Sequence, residues 1–185
     1  AKVELGKMLF FDPRLSGDAS TSCGSCHKPE AGWGDGGDVS RGYPGTQHWR
    51  NSQTVLNAAY YAKLFWAGEV TSPESQADSA ITGNLAGNGE PVMIEERLYQ
   101  VPEYRRRFKE VYGSEIPTYT RVLKAVAAFE RTVVTRDLPY DRFLREHLLD
   151  AVPVGSWTSL RGEAADAAAE IARDERALAA RGIDL

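Results

Sequence analysis

Apolar residues recur at helical spacing through much of the chain, and the clearest run predicts a helix over residues 118–135. Its apolar positions follow i, i+3 and i+4 spacing and share one face: Val122, Ala125, Val126, Phe129 and Val133. A shorter amphipathic helix is predicted over residues 2–11, because five apolar side chains fall close together there: Val3, Leu5, Met8, Leu9 and Phe11. Asp12-Pro13 is expected to end this helix.

Capping residues and helix breakers divide the rest of the chain into further helices. Capping Ser and Asp, prolines at helix starts and glycines at helix ends predict helices over residues 72–80, 91–100, 102–112 and 139–149. After Pro153 the sequence becomes rich in Ala, Glu and Arg, which predicts a last helix over 156–181. We therefore expect an all-α fold, with one domain over 1–150 and a C-terminal helical extension over 151–185. This extension either packs on the domain, which is the favoured interpretation, or docks on a partner.

Residues 14–53 interrupt the helical pattern and contain the candidate chemistry. This stretch is crowded with Gly, Ser and Asp, and a loop of such length is unusual in a compact domain. Within it lies Cys23-Gly24-Ser25-Cys26-His27, the Cys-x-x-Cys-His signature of c-type haem attachment. Two thiols at this spacing add across the two vinyl groups of one haem, and His27 offers its imidazole to the iron. A covalently held haem would supply the apolar core that the loop lacks.

Three other readings of the two cysteines are weaker. A thioredoxin-like dithiol needs a βαβ pattern around it, and none is visible. A Cys2His2 zinc site needs two histidines three to five residues apart, whereas His48 and His147 are far from His27 and from each other. A structural disulfide requires no adjacent histidine.

Composition and charge exclude several function classes. The 22 basic residues against 26 acidic residues give a net charge of −4, which argues against nucleic acid. The short Arg105–Arg107 run is expected on the solvated face of a helix. The sequence has no run of 18 apolar residues, so no membrane span is expected. Haem attachment normally follows export, so we expect a periplasmic protein whose leader peptide is not in this chain.

Several longer motifs accompany the haem signature in a fixed order. They are LGKMLFFDPRLSG (5–17), SCGSCH (22–27), RNSQTVLNAAYY (50–61), LFWAGE (64–69), VPEYRRRF (101–108) and AVAAFERTVVT (125–135). Together they resemble the N-terminal haem domain of the bacterial di-haem cytochrome c peroxidase family, which includes the MauG-type enzymes. The resemblance implies a class-I cytochrome c-like helical domain with long loops, export to the periplasm and redox chemistry.

The chain departs from the family pattern in ways that bear on function. Family members have a second domain with its own haem motif, whereas this chain has only two cysteines, so we expect one covalent haem c. Trp66 matches the family's tryptophan between the two haems and is a candidate electron relay. An ungapped match places Ala86 where the family has its peroxidatic Glu, and Thr82 where a Gln is usual. Glu90 is interpreted as a solvated carboxylate at a helix start.

The sixth ligand of the iron is left open by the sequence. His48 is the first candidate, Tyr43 falls at the family's His position, Met93 is a third, and water or an open position is the fourth. Arg50 is a candidate partner for a haem propionate. Aromatic residues expected to pack around the macrocycle are Trp33, Tyr43, Trp49 and the Phe10-Phe11 pair. Asn51 matches a calcium ligand of the family, but its other ligands would come from the second domain, so no calcium is expected.

These observations favour a mono-haem c-type cytochrome that transfers single electrons to or from a periplasmic protein donor or acceptor. Because the pocket Glu and the second haem are missing, enzymatic activity is not the favoured interpretation. The alternative is a peroxidase-like enzyme or subunit whose second haem comes from a partner chain, in a larger oxidoreductase complex or a homodimer. A haem-based gas or redox sensor is the least favoured, because no output domain is recognisable.

Overall fold

A computed structural model of the chain describes residues 1–136, 138, 139 and 142. The chain divides into two compact units, Ala1–Val134 and Thr135–Leu185. The α-helices of the first unit are α1 (Lys2–Phe10), α2 (Cys23–Cys26), α3 (Pro73–Thr82), α4 (Pro91–Tyr99), α5 (Pro102–Tyr112) and α6 (Tyr119–Glu130). Within the described residues no strand forms, and extended segments meet only as isolated bridges. The predicted all-α class is confirmed.

Helices α1 and α6 pack directly against each other and form the centre of the first unit. Their facing side chains are fully buried: Leu5, Leu9 and Phe10 from α1, and Val122, Ala125 and Val126 from α6. Gly6 allows the close approach, because a Cβ there would collide with the backbone carbonyl oxygen of Ala125. The core of the first unit is therefore built from apolar residues that recur at helical spacing in both segments.

The inward face of α1 differs by one residue from the prediction. Phe10 is fully buried, whereas Phe11 is 40% exposed. Phe10 lies four residues after Gly6 and so shares the face that meets α6, where its ring centroid is 5.2 Å from that of Phe129. Phe11 instead covers Gly24 in the haem motif, because a Cβ on Gly24 would collide with the Phe11 ring.

Helix α6 ends at Glu130, five residues before the predicted end. The next residues tighten into i→i−3 hydrogen bonds: Thr132 N–H donates to the Phe129 carbonyl (2.8 Å) and Val133 N–H to that of Glu130 (3.0 Å). The Thr132 hydroxyl also donates to the Phe129 carbonyl at 2.7 Å. Residues 132–135 are all β-branched and therefore poor helix formers. Val133 stays buried even so.

Helices α3, α4 and α5 each begin with proline at the first turn, close to the predicted starts. The Ser72 hydroxyl caps α3 by accepting from the Ser75 N–H at 3.2 Å. Gly113 ends α5 in the left-handed conformation with φ of 72°. Of the predicted solvated run Arg105–Arg107, Arg106 is exposed, whereas its two neighbours are half-buried. Arg106 and Arg107 both form ion pairs with Glu103.

The long loop between α1 and α3 is tied to the helices by buried polar contacts. It contains 3-10 turns at Pro13–Leu15, Pro29–Ala31 and Ala58–Tyr60. The Tyr104 hydroxyl of α5 donates to the buried Asp12 carboxylate at 2.6 Å. From α4, the Arg97 guanidinium donates to the carbonyls of Ser16 (2.6 Å) and Gly17 (2.8 Å). The start of the loop is thereby fixed before it enters the haem motif.

The helices predicted over 139–149 and 156–181, and His147, lie outside the described residues. Among the helices that the structure describes, none combines the length and the apolarity that crossing a bilayer requires.

Candidate functional site

The haem motif folds as the single turn of α2, and its own serines stabilise that turn. Ser22 N–H donates to the Ser25 hydroxyl at 3.0 Å, in a capping box that starts the helix. The His27 N–H donates to the Cys23 carbonyl at 2.9 Å. Both cysteines are free thiols. The two intervening residues thus place Cys23, Cys26 and His27 around one helical turn, as attachment of a single haem requires.

His27 is held in the orientation and protonation state of a metal ligand. Its Nδ1 donates to the Trp33 carbonyl oxygen at 3.2 Å, so Nε2 is the nitrogen that would bind a metal. Burial lowers the pKa of His27, so the neutral imidazole is favoured. Trp33 itself is fixed in an aromatic cluster, with ring centroids 6.1 Å from Phe10 and 5.9 Å from Phe129. Trp33 and Phe10 thus pack on each other behind the histidine, and their packing around a macrocycle stays a prediction.

A single cavity of about 510 Å³ brings these three residues together. Its volume lies within the range of small-molecule and cofactor sites. Apolar side chains from the loops and α3 cover much of its wall: Leu15, Val55, Leu64, Ala77, Ala80 and Ile81. An apolar cleft with two thiols and an imidazole on its wall fits a covalently attached haem.

The thiol chemistry argues against the alternative readings of the cysteines. Burial raises the pKa of Cys23 to about 12, and it also raises the pKa of Cys26. Catalytic dithiols have lowered thiol pKa values, so this pair lacks the thiolate character of a redox-active dithiol. Within the described residues, no three His, Cys, Asp or Glu side chains cluster as they would at a zinc site.

Of the three candidates for the sixth iron ligand, His48 is on the cavity wall, whereas Tyr43 and Met93 are not. His48 N–H donates to the Ser40 carbonyl at 2.8 Å, and its Nδ1 accepts from the Arg50 N–H at 3.3 Å. Nε2 of His48 is therefore the nitrogen left for a ligand. Met93 lies in the first turn of α4.

Tyr43 belongs to the backbone contact between two loops of the cavity. Its N–H donates to the Ala86 carbonyl at 2.8 Å. A Cβ on the neighbouring Gly42 would collide with the Leu85 carbonyl oxygen, so these loops approach with backbone against backbone. Cys26 contacts the residue before Gly42, because its thiol donates to the Arg41 carbonyl at 3.3 Å.

The wall formed by residues 83–87 has no acid–base group. Ala86, which an ungapped match places at the family's Glu position, lines the cavity, whereas Thr82 does not. The Thr82 hydroxyl instead donates to the Asp78 carbonyl at 2.8 Å. Glu90 is the N-cap of α4, and its carboxylate accepts from the Met93 N–H at 2.7 Å. The interpretation of Glu90 as a helix-start carboxylate is confirmed, and it is absent from the cavity wall.

The remaining predicted residues lie at the open side of the cavity. Arg50 and Trp49 are exposed and line it, and the Trp49 ring lies 4.4 Å from that of His48. Trp66 also lines the cavity while 59% exposed, and its indole N–H donates to the Asn51 carbonyl at 3.1 Å. Arg50 and Trp66 therefore both line the cavity, and their roles as propionate partner and electron relay stay predictions.

The cavity wall includes a buried acidic residue that the sequence did not predict as part of the site. Glu130, at the end of α6, lines the cavity and is 6% exposed. Burial raises its pKa to about 8. A glutamate inside an otherwise apolar helix run was the available signal, because acidic side chains are seldom fully buried. The predicted continuation of α6 to residue 135 hid it within a longer helix.

Comparison with known proteins agrees with this geometry. The family described as di-haem cytochrome c peroxidase matches residues 1–148. The chain is 59% identical over 144 residues to the cytochrome-c peroxidase IdrP1 of Denitromonas iodatirespirans, a match that covers 77% of this chain and 38% of that protein. It is 42% identical over 143 residues to the methylamine utilization protein MauG of Methylorubrum extorquens, covering 77% and 40%.

A solved structure shows the same fold. A MauG-like protein associated with microbial copper homeostasis superposes with a TM-score of 0.73 and 30% sequence identity, over 78% of this chain and 44% of that one. The chain therefore spans about two-fifths of the length of the relatives it matches.

Proposed function

Because the chain belongs to the di-haem cytochrome c peroxidase family, we propose that it binds one haem c through Cys23, Cys26 and His27 and passes single electrons. The observation behind this proposal is the His27 imidazole, oriented by the Trp33 carbonyl in a cavity shared with both thiols. A bound haem supplies the one-electron iron couple, while the protein supplies attachment, orientation and electrostatics.

Electron transfer is favoured over peroxide cleavage by the residue that an ungapped match places at the position of the family's peroxidatic Glu. Cleaving the O–O bond requires a group that moves a proton between the two oxygens. Ala86 has no such group, and Glu90 is occupied as the cap of α4. We assign the sixth ligand to Nε2 of His48, because Nδ1 of that ring already accepts the Arg50 N–H. If His27 and His48 both held the iron, no position would remain on it for peroxide.

The test is an optical spectrum of the chain with covalently attached haem, in both oxidation states, before and after peroxide. We expect a six-coordinate, low-spin spectrum, a reversible one-electron couple and negligible peroxide turnover with a reduced donor. Turnover in the ordinary enzymatic range of about 1 to 10³ per second would contradict the proposal. His48→Ala should change the spectrum, whereas Tyr43→Phe and Met93→Leu should not.

A second candidate function is peroxidase activity with the second haem provided outside these residues. It is favoured by the exposure of Trp66 on the cavity rim, in a surface that also exposes Trp49, Tyr60 and Tyr61. IdrP1 and MauG are more than twice as long as the part matched here, so each has further chain that such a surface can meet. A high-spin spectrum, with peroxide turnover that falls on Trp66→Ala substitution, would favour this function over the first.

The location and partner of the protein follow from the same chemistry. Covalent haem attachment normally takes place after export, which supports a periplasmic location. An electron carrier needs a protein donor or acceptor whose redox centre approaches the haem edge. The exposed rim around Trp66 and Arg50 is the part of the cavity that such a partner would approach. Fractionation of cells expressing the exported chain, followed by haem staining, tests the location.

A further inference from the structure

Glu130 is a buried acidic group inside the haem cavity to which the proposed function gives no role. It is the last residue of α6, is 6% exposed and shares the cavity wall with Cys23. Its charge acts on the Cys23 thiol, where it raises the thiol pKa along with burial. The carboxyl group therefore lies near the point where one side of a haem would be attached.

The charge of an ionised Glu130 is not offset by a direct contact with a cation among the described residues. Among the described residues, no hydrogen bond or ion pair to its side chain is formed. The guanidinium of the adjacent Arg131 instead pairs with the Glu74 carboxylate of α3, through two hydrogen bonds of 2.7 and 2.8 Å. A buried carboxylate without a partner is strongly disfavoured, so such a group tends to hold a proton.

The charged and titratable groups around Glu130 come from three elements. Arg131 follows it on the chain and favours its ionised form, whereas Glu74 from α3 disfavours that form. Cys23 from α2 is the third neighbour. Once haem is attached, its sulfur is a thioether that carries no charge. Burial outweighs these charges and raises the pKa of Glu130 to about 8. Ser79 of α3 also lines the cavity and is exposed, so the cavity is open to solvent at that residue.

We propose that Glu130 couples proton uptake to electron uptake in this domain and so sets the reduction potential of the haem. When one electron arrives from an external donor, Glu130 takes one proton from solvent onto its carboxylate, and the charge of the pocket stays constant. When the electron leaves, the proton leaves as well. No other bond forms or breaks. This inference rests on the proposed function, because it requires the haem.

The direction of the effect follows from Coulomb's law. An ionised Glu130 stabilises the oxidised, more positive iron and lowers the reduction potential. A protonated Glu130 does not, so the potential should fall as pH rises through the range in which this group ionises. Because the site is buried, salt should screen the interaction only weakly.

The experiment is a spectroelectrochemical titration of the haem-loaded full chain between pH 5.5 and 9. The variant is Glu130→Gln, and the matched control is Glu96→Gln, which removes an exposed carboxylate of α4. We expect the potential of the unsubstituted chain and of the control to fall with rising pH. Glu130→Gln should lose this slope and, at pH 9, should favour the reduced form about tenfold more, which corresponds to about 59 mV.

The outcomes separate this inference from the proposed function. An unchanged pH slope in Glu130→Gln would overturn the role of Glu130 while leaving the haem couple intact. Failure of the unsubstituted chain to bind haem covalently, or to show a reversible couple, would overturn the proposed function itself. If Glu130→Gln does not fold, proton uptake on reduction of the unsubstituted chain is measured with an indicator dye. Zero uptake between pH 6.5 and 8.5 would contradict the proposal.

Discussion

The helical scaffold and the loop wall of the cavity hold their shapes by different means. The scaffold consists of α1, α4, α5 and α6, and its largest core side chains are completely buried: Leu5, Leu9, Ile94, Leu98, Phe108 and Val122. The loop wall, residues 40–71, buries few apolar side chains, among them Val55 and Leu64. It depends instead on polar contacts such as the 2.7 Å hydrogen bond between the Ser40 and Ser52 hydroxyls.

This difference shows which part of the domain needs its cofactor. Burial of apolar area contributes about 25 cal/mol per Å², so the scaffold is stabilised by its own residues. The net contribution of one hydrogen bond to the free energy of unfolding is only about 0.5–1.5 kcal/mol. The loop wall therefore lacks a comparable source of stability until an apolar ligand fills the cavity. Binding to the folded state then stabilises that wall selectively.

The largest expected effect comes from removing haem attachment. The double substitution Cys23→Ala and Cys26→Ala should abolish covalent haem attachment. The backbone amides of the loop wall should then exchange faster with solvent, while the helices of the scaffold remain. Haem staining of the denatured protein measures covalent attachment, and amide hydrogen exchange measures the protection of the loop wall and of the scaffold. The control is Glu30→Gln, an exposed substitution close to the motif, which should change neither. Equal loss of protection in the scaffold would contradict the comparison.

The next effect is a pH dependence of stability that arises where scaffold and cavity meet. The pKa of Glu130 is raised from 4.5 to about 8 by burial. Below pH 4.5 the Glu130 carboxyl group is protonated in both the folded and the unfolded state. As pH rises towards 8, the unfolded state ionises first, so the free energy of unfolding should fall by roughly a few kcal/mol.

Thermal unfolding of the haem-loaded chain at pH 5 and pH 8 measures this effect. Glu130→Gln should be less sensitive to pH over this interval than the unsubstituted chain. The exposed Glu96→Gln variant is again the control. A Glu130→Gln variant that loses as much stability as the control between the two pH values would contradict the assignment.

A smaller effect is expected from the helix contact at the centre of the scaffold. Gly6→Ala places a Cβ against the Ala125 carbonyl oxygen, and overpacking of this kind costs about 1–3 kcal/mol. The matched control is Gly37→Ala in the loop, where the new Cβ would be 3.8 Å from the Val39 carbonyl oxygen, an ordinary contact. Denaturant unfolding compares the two. If both variants lose the same stability, α1 and α6 do not depend on close approach.

The smallest effect should come from the cap that joins the loop wall to α3. Ser72→Ala removes the acceptor of the Ser75 N–H and should cost about 1 kcal/mol. Thr71→Ala, at the exposed position just before it, should cost less. Chemical denaturation followed by circular dichroism resolves the difference. Equal costs would show that the cap contributes nothing measurable.

Local chemistry made much of the scaffold predictable. Proline at the first turn and a capping serine identified the start of α3, and Gly113 identified the end of α5. The predictions failed where tertiary contacts decided the outcome. Phe10 rather than Phe11 turned inward because Gly6 brings α6 close. Helix α6 stopped at Glu130 because β-branched residues follow it.

The sequence alone determined the attachment chemistry, since Cys23, Cys26 and His27 are adjacent and one helical turn suffices to arrange them. It also predicted Ala86 and Thr82 as departures from the family pattern. Only the tertiary structure decided which distant residues share the cavity. It placed His48 on the wall and left Tyr43 and Met93 outside. It also brought Glu130 beside Cys23 from over a hundred residues away, because packing of α6 against α1 carries its last residue to the haem motif. Spacing along a chain cannot encode that contact, because it depends on how whole helices cross.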